Sequence, residues 1–128
     1  MSTENLNMTF EVLKPDLVEF IENDGLDIIS DEKMSAESLA NLCIELAMKF
    51  ENGCRSLLHP FMTSDRKGYM LKVNNTHGGF VSVSNPDGTG VSHTEYYPYF
   101  TDDPEDGKLT GLCSLASMIN EAWYHCNN

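Results

Sequence analysis

A change of hydrophobic period near the middle of the chain constrains its fold more than any other feature. In "SAESLANLCIELAMKFENG" (Ser35 to Gly53), Leu39, Leu42, Cys43, Leu46, Ala47 and Phe50 recur at steps of three and four. Those steps line one side of an α-helix with apolar groups. Ser35 suits the start of that helix and Gly53 its end. Glu45 and Lys49 stand four apart on the solvent side, an expected ion pair. Past Gly68 the period falls to two. In "GYMLKV", Tyr69, Leu71 and Val73 point one way, and Met70 and Lys72 the other. In "GFVSVS", Val81 and Val83 oppose Phe80, Ser82 and Ser84. "VSHTEYY" continues the alternation, with Val91, His93, Glu95 and Tyr97 on one face. Between these runs, "NNTHGG" and "NPDGTG" are turns, the second with an Asp-Gly step available for a tight hairpin. The earlier "SLLHPFM" holds Pro60, which predicts an edge strand or a break.

Two further helical patterns flank this region. Leu17, Phe20 and Ile21 share a face, with Pro15 suited to a first turn and Gly25 to a stop, so a helix is predicted over 15–23. "LDII" (Leu26 to Ile29) is too short to classify. In "LTGLCSLASMINEAWYHC", the residues Leu112, Leu115, Ala116, Ile119, Ala122, Trp123 and Cys126 form another helical stripe. The order α-α-β-β-β-α is segregated rather than alternating, which predicts an α+β fold. The expectation is a three- to four-stranded antiparallel meander with two or three helices packed on one face. Residues 1–128 suit a single acidic domain with its own core. Nothing in the helix stripes separates a core face from a dimer face.

Charge narrows the partners. Twenty acids against eight bases leave a net charge of −12. Such a field repels nucleic acid and anionic membrane and draws in basic surfaces. Only Arg66 and Lys67, in "DRK", put two bases side by side. No apolar run is long enough to cross a bilayer, and "MSTENLNMTF" lacks the basic residue and apolar run of a signal peptide. The expected location is cytoplasmic, with a basic protein as partner and neither nucleic acid nor membrane bound directly.

Catalytic and metal motifs find little support in the residues. Cys43, Cys54, Cys113 and Cys126 form no CxxC pair, and Cys43 and Cys113 fall on core stripes. His59, His77, His93 and His125 share no zinc-ligand spacing. "HTE" (His93 to Glu95) matches one half of a zinc-deaminase signature, but the P-C-x-x-C half is missing. "DGTG" (Asp87 to Gly90) leads into a strand, so it reads as a hairpin and not as a phosphate loop. No cofactor, no metal and no catalytic residue is expected. A small metal- or Cys-dependent enzyme, for instance one pairing Cys54 with His59 or His77, stands as an alternative from another class.

Acids collect in two places. The first 32 residues hold nine, opposed only by Lys14, and Asp16, Glu19 and Glu22 among them step by three along the first predicted helix. The second place is "HTEYYPYFTDDPEDG" (His93 to Gly107), where Glu95, Asp102, Asp103, Glu105 and Asp106 surround Tyr96, Tyr97 and Tyr99. Aromatic anchors inside a charged rim are the composition of a recognition surface. The expected partner-binding residues are therefore Asp16, Glu19, Glu22, Glu95, Tyr96, Tyr97, Tyr99, Asp102, Asp103, Glu105 and Asp106. The acids after Phe100 are read as a loop joining the last strand to the last helix.

Roughly residues 40 to 120 resemble the ArdB/KlcA antirestriction family of plasmids, phages and genomic islands. "FENG" (Phe50 to Gly53) stands where that family has a helix leading into a glycine turn. "FMTSDRKGYM" (Phe61 to Met70) stands for its F-Y-x-L-S-N-G-G-F-Y-M strand motif. "TGLCSLASM" (Thr110 to Met118) stands for its late helix rich in small residues. The chain departs from the family at Arg55 to Leu57, where a Trp is missing, and at Lys67-Gly68, in place of a double glycine. "TDDPEDG" has no counterpart there. The resemblance implies an accessory protein of mobile DNA that blocks host restriction, and it carries over no catalytic residue. Composition and resemblance together lead to the expectation of an acidic, non-enzymatic inhibitor or adaptor. Its target would be a basic surface of a nucleic-acid-handling defence enzyme, met in the manner of an antirestriction, anti-CRISPR or DNA-mimic protein. An immunity protein that neutralises a basic nuclease toxin would need the same surface.

Overall fold

A computed structural model describes residues 10–76, 79–95 and 104–127, and of residues 95 and 104–107 the backbone only. The described elements are α1 (Phe10–Asn23), α2 (Asp27–Ser30), α3 (Ala36–Glu51), β1 (Ser56–Met62), β2 (Gly68–Asn74), β3 (Phe80–Ser84), β4 (Ser92–Glu95) and α4 (Pro104–Cys126). The fold is α+β, and its one four-stranded sheet has the order β1-β2-β3-β4, every pair antiparallel. It is the expected meander, with β1 as a true strand. Pro60 sits in β1, and β1 is an edge, the place where a missing ladder donor is tolerated.

Register assigns each strand residue to a face. Opposed residues share a side, so Phe61, Tyr69, Leu71, Val73, Val81 and Val83 form the inner face, and all six are buried. Leu13, Leu17 and Ile21 of α1, the Leu39-to-Phe50 stripe of α3 and the Leu112-to-Trp123 stripe of α4 complete one continuous core against it. β4 meets α4 through hydroxyls rather than carbon. Ser92 Oγ donates to the Ala122 carbonyl, and Thr94 Oγ1 to the Met118 carbonyl at 3.5 Å.

Local sequence explains the helix limits, with two corrections. Ser35 caps α3 as expected, its Oγ accepting from Ser38 N at 3.0 Å. Gly53, at φ 98, ends that helix in the left-handed region that glycine enters without strain. Ser35→Ala is expected to destabilise the protein by about 1 kcal/mol, read from chemical denaturation, because the Ser38 amide loses its acceptor. The first correction concerns α1, which begins at Phe10, so Pro15 lies inside it rather than in its first turn. The extra residues bury Leu13, and Pro15 lies on the exposed side of the helix. The second concerns α3: Glu45 does not pair with Lys49 but reaches His59 on β1, tying helix to sheet edge.

"LDII" supplies the N-cap and the first three residues of the one-turn helix α2. Its N-cap residue, Leu26, offers no side-chain acceptor. The Ile28 amide is taken instead by Asn120 Oδ1 of α4, at 2.8 Å and buried. The β1–β2 turn is docked on the loop before α3: Ser64 N donates to the Lys33 carbonyl at 2.8 Å, and Lys33 Nζ pairs with Asp65 at 3.0 Å. The Thr63 hydroxyl and Lys33 together hold the Asp65 carboxyl down at about 2.

Candidate protein-binding surface

On α1, a step of three residues turns back about 60° around the helix axis. Asp16, Glu19 and Glu22 therefore form a slowly twisting ridge, and all three are exposed on the side away from Leu13, Leu17 and Ile21. Lys14, Lys33 and Lys108 are engaged by Glu37, Asp65 and Glu51 respectively. Among the described residues no cation pairs with Asp16, Glu19 or Glu22. Val12 stands four residues before Asp16 and is 58% exposed, an apolar group at the head of the ridge.

Helix energetics does not account for Glu22. The carbonyl end of a helix favours cations, yet the last turn of α1 holds no base and does hold Glu22. Where local stability and residue choice conflict, a role outside folding is the physical alternative. The ridge also adjoins α4. Burial first, then the carboxylates of Asp24 and Asp16, push the Cys113 thiol up to about 11.

The second acidic region is divided by the structure. Tyr96, Tyr97, Tyr99, Asp102 and Asp103 lie outside the described residues. Glu95 ends β4 opposite Phe80, on the outer register of the sheet. Glu105 and Asp106 are not in a loop, because α4 starts at Pro104 and places them in its first turn. A proline at the first helical position followed by two acids is a helix-start signature, and "DDPEDG" carries that signal in the sequence. Lys108, 4.7 Å from the Phe10 ring and 3.1 Å from Glu51, fixes the start of α4 beside the start of α1 and the end of α3. From Phe10 the ridge runs away along α1, Asp16 at about 9 Å and Glu22 at about 18 Å along the axis. The expected partner-binding acids among the described residues thus fall on three elements: α1, the first turn of α4 and the end of β4.

The described cysteines and histidines each have defined surroundings. Cys43 is fully buried, and burial, with Cys113 beside it, raises its thiol far above the usual range. Burial also raises the Cys126 thiol. Cys54 Sγ donates to the Ser56 carbonyl at 3.3 Å. His59 does not turn to Cys54, since its two ring nitrogens face the Pro60 carbonyl and the Glu45 carboxylate. His93 stacks on Phe80 at 4.9 Å, and His125 lies 3.8 Å from Glu121. His77 lies outside the described residues. Among the described residues, no three His, Cys, Asp or Glu side chains gather as a metal site. Among them too, no helix is long and apolar enough to cross a membrane.

One surface was not singled out from the sequence. The outer face of the sheet carries Leu58, 64% exposed, and Met62, 62% exposed, with Met70 and Phe80 half-buried beside them. The alternation Leu58, Pro60, Met62 is present in "SLLHPFM", but it means an outer face only once β1 is known to be a strand. Comparison with protein-family models, with curated proteins and with solved structures finds no match to this chain.

Proposed function

We propose that the protein is an acidic, non-enzymatic inhibitor or adaptor that captures a basic surface of a nucleic-acid-handling defence enzyme, as an antirestriction or anti-CRISPR protein does. The observation that carries this reading is the ridge of Asp16, Glu19 and Glu22, exposed, unpaired among the described residues and, at Glu22, placed against the preference of its own helix. A row of carboxylates competes with phosphates for a basic cleft, and a net charge of −12 steers the encounter. Val12 supplies an apolar contact inside that charged strip. Glu95, Tyr96, Tyr97, Tyr99, Asp102, Asp103, Glu105 and Asp106 complete the proposed contact set. The resemblance of residues 40 to 120 to the ArdB/KlcA family supports a defence enzyme as target.

Affinity capture from host lysate across a salt series tests this. The expected result is a basic, nucleic-acid-binding protein whose recovery falls as salt rises, because screening weakens exposed charge contacts. Recovery of no partner, or of an apolar one indifferent to salt, overturns the reading. Recovery of a nuclease toxin in place of a defence enzyme would keep the electrostatic mechanism and replace the target.

A further inference from the structure

Glu11, Lys14, Pro15, Val18, Glu19 and Glu22 of α1 border a shallow groove of about 490 Å³. Glu11, Pro15, Val18 and Glu22 follow one another at steps of four, three and four, so they form one line along the helix. The middle of that line is apolar and its ends are acidic. Val18 is half-buried and packed on the core, which fixes the floor of the groove, and Pro15 is exposed beside it. Glu11 stands at one end. Glu19 and Glu22 stand at the other, about 12 and 16 Å away along the axis. Among the described residues no cation pairs with any of the three, and Lys14, the base on the rim, is held by Glu37 at 3.4 Å.

Pro15 is the informative residue. A proline inside a helix removes one intrahelical hydrogen bond and crowds the turn before it, a cost that alanine at the same exposed position would not carry. Core packing does not call for the ring, because the ring stands in solvent. What it supplies is a rigid apolar plate in the middle of the groove. Folding thus opposes two of the groove residues, Pro15 and Glu22, and such a conflict marks a surface kept for binding.

The chemistry of the groove names its occupant. Carboxylates only accept hydrogen bonds, so the complementary group is a cation with several donors. It must also lay carbon on Pro15 and Val18. Arginine does both, with a five-donor planar fork, an apolar stem and a charge weakly hydrated enough to rest on an apolar plate, whereas lysine is a strongly hydrated point charge. In an extended chain, side chains four residues apart point the same way and lie about 13 Å apart, which matches the separation of the acidic ends. We propose that the groove binds an extended segment of the partner that carries two arginines four residues apart, with an apolar residue midway between them. One guanidinium meets Glu11, the other meets Glu19 and Glu22, and the apolar residue covers Pro15 and Val18. The inference rests on the reading of the protein as a ligand of a basic surface, and it narrows that surface to an arginine-bearing segment.

A blocked synthetic peptide of pattern Arg-x-Leu-x-Arg, with glycine at x, tests this when titrated into the isotope-labelled full chain and followed by NMR, beside a lysine counterpart of equal charge. The expected result is a set of shifts centred on the Val18 methyls, with the arginine peptide bound about threefold or more tighter than the lysine one. Glu11→Gln should weaken the arginine peptide by about threefold or more, whereas Glu121→Gln, which removes the same charge from an exposed site on α4, should leave it unchanged. Pro15→Ala should also weaken it while raising the thermal midpoint, so that loss of fold is not the cause. No detectable binding, equal binding of the two peptides, shifts centred elsewhere, or binding indifferent to both groove variants would overturn the proposal. Any of these leaves the capture experiment to stand or fall by itself, because a ridge of acids can steer a basic surface without holding an arginine.

Discussion

Replacing Asp16, Glu19 and Glu22 together by lysine is expected to slow association with the captured partner by about 10- to 1,000-fold at low ionic strength. The three carboxylates are exposed, so on the proposed reading each would act on a distant basic surface through solvent. Long-range fields of this kind act mainly on encounter rate, and the deficit should shrink as salt is added. Folding should not suffer. Glu22 lies in the last turn of α1, where the helix dipole favours a cation, so Glu22→Lys alone is expected to raise stability by about 0.3–1 kcal/mol. A variant that is more stable and binds more slowly is the signature of acids kept for recognition. Stopped-flow or surface-resonance kinetics would read the first quantity, and thermal unfolding the second. Unchanged association in the triple variant would show that the ridge only solvates α1. The contact would then have to be sought among Glu95, Glu105 and Asp106.

The second large effect is expected at Asn120. Its Oδ1 accepts the Ile28 amide at 2.8 Å, and the pair joins segments 92 residues apart. Ile28 is fully buried and Asn120 only 7% exposed, so water does not readily replace the lost acceptor. Asn120→Ala should cost about 1–3 kcal/mol in chemical denaturation, the usual penalty for a stranded buried donor. Asn120→Leu separates two causes. It restores volume but offers no acceptor, so an equal loss assigns the cost to the hydrogen bond, and recovery assigns it to a cavity. Hydrogen exchange at the Ile28 amide should accelerate in both. Full stability in Asn120→Ala would show that α2 contributes little to the fold.

The parts of the fold governed by neighbours along the chain were legible before any tertiary contact was known. The stripe from Leu39 to Phe50, the alternation of Tyr69, Leu71 and Val73 and the Ser35 cap all follow from side-chain period and backbone chemistry, whereas Pro60 left an edge strand and a break both open until the sheet order decided it. Helix limits were less legible. Pro15 reads as a start, but burial of Leu13 carries α1 back to Phe10, while "DDPEDG" reads as a loop, though its proline and acids begin α4. Contacts between distant segments were not legible at all. Asn120 occupies a helix position like any other until α2 brings an orphan amide to it, and Glu45 suits Lys49 until β1 brings His59 nearer. The outer face is the clearest case. Leu58 and Met62 are ordinary apolar residues in the sequence, and only the helices' choice of the opposite side of the sheet leaves them in solvent. Period decides which residues share a side of an element. Which of the two sides is covered depends on where every other element packs, and no local pattern encodes that.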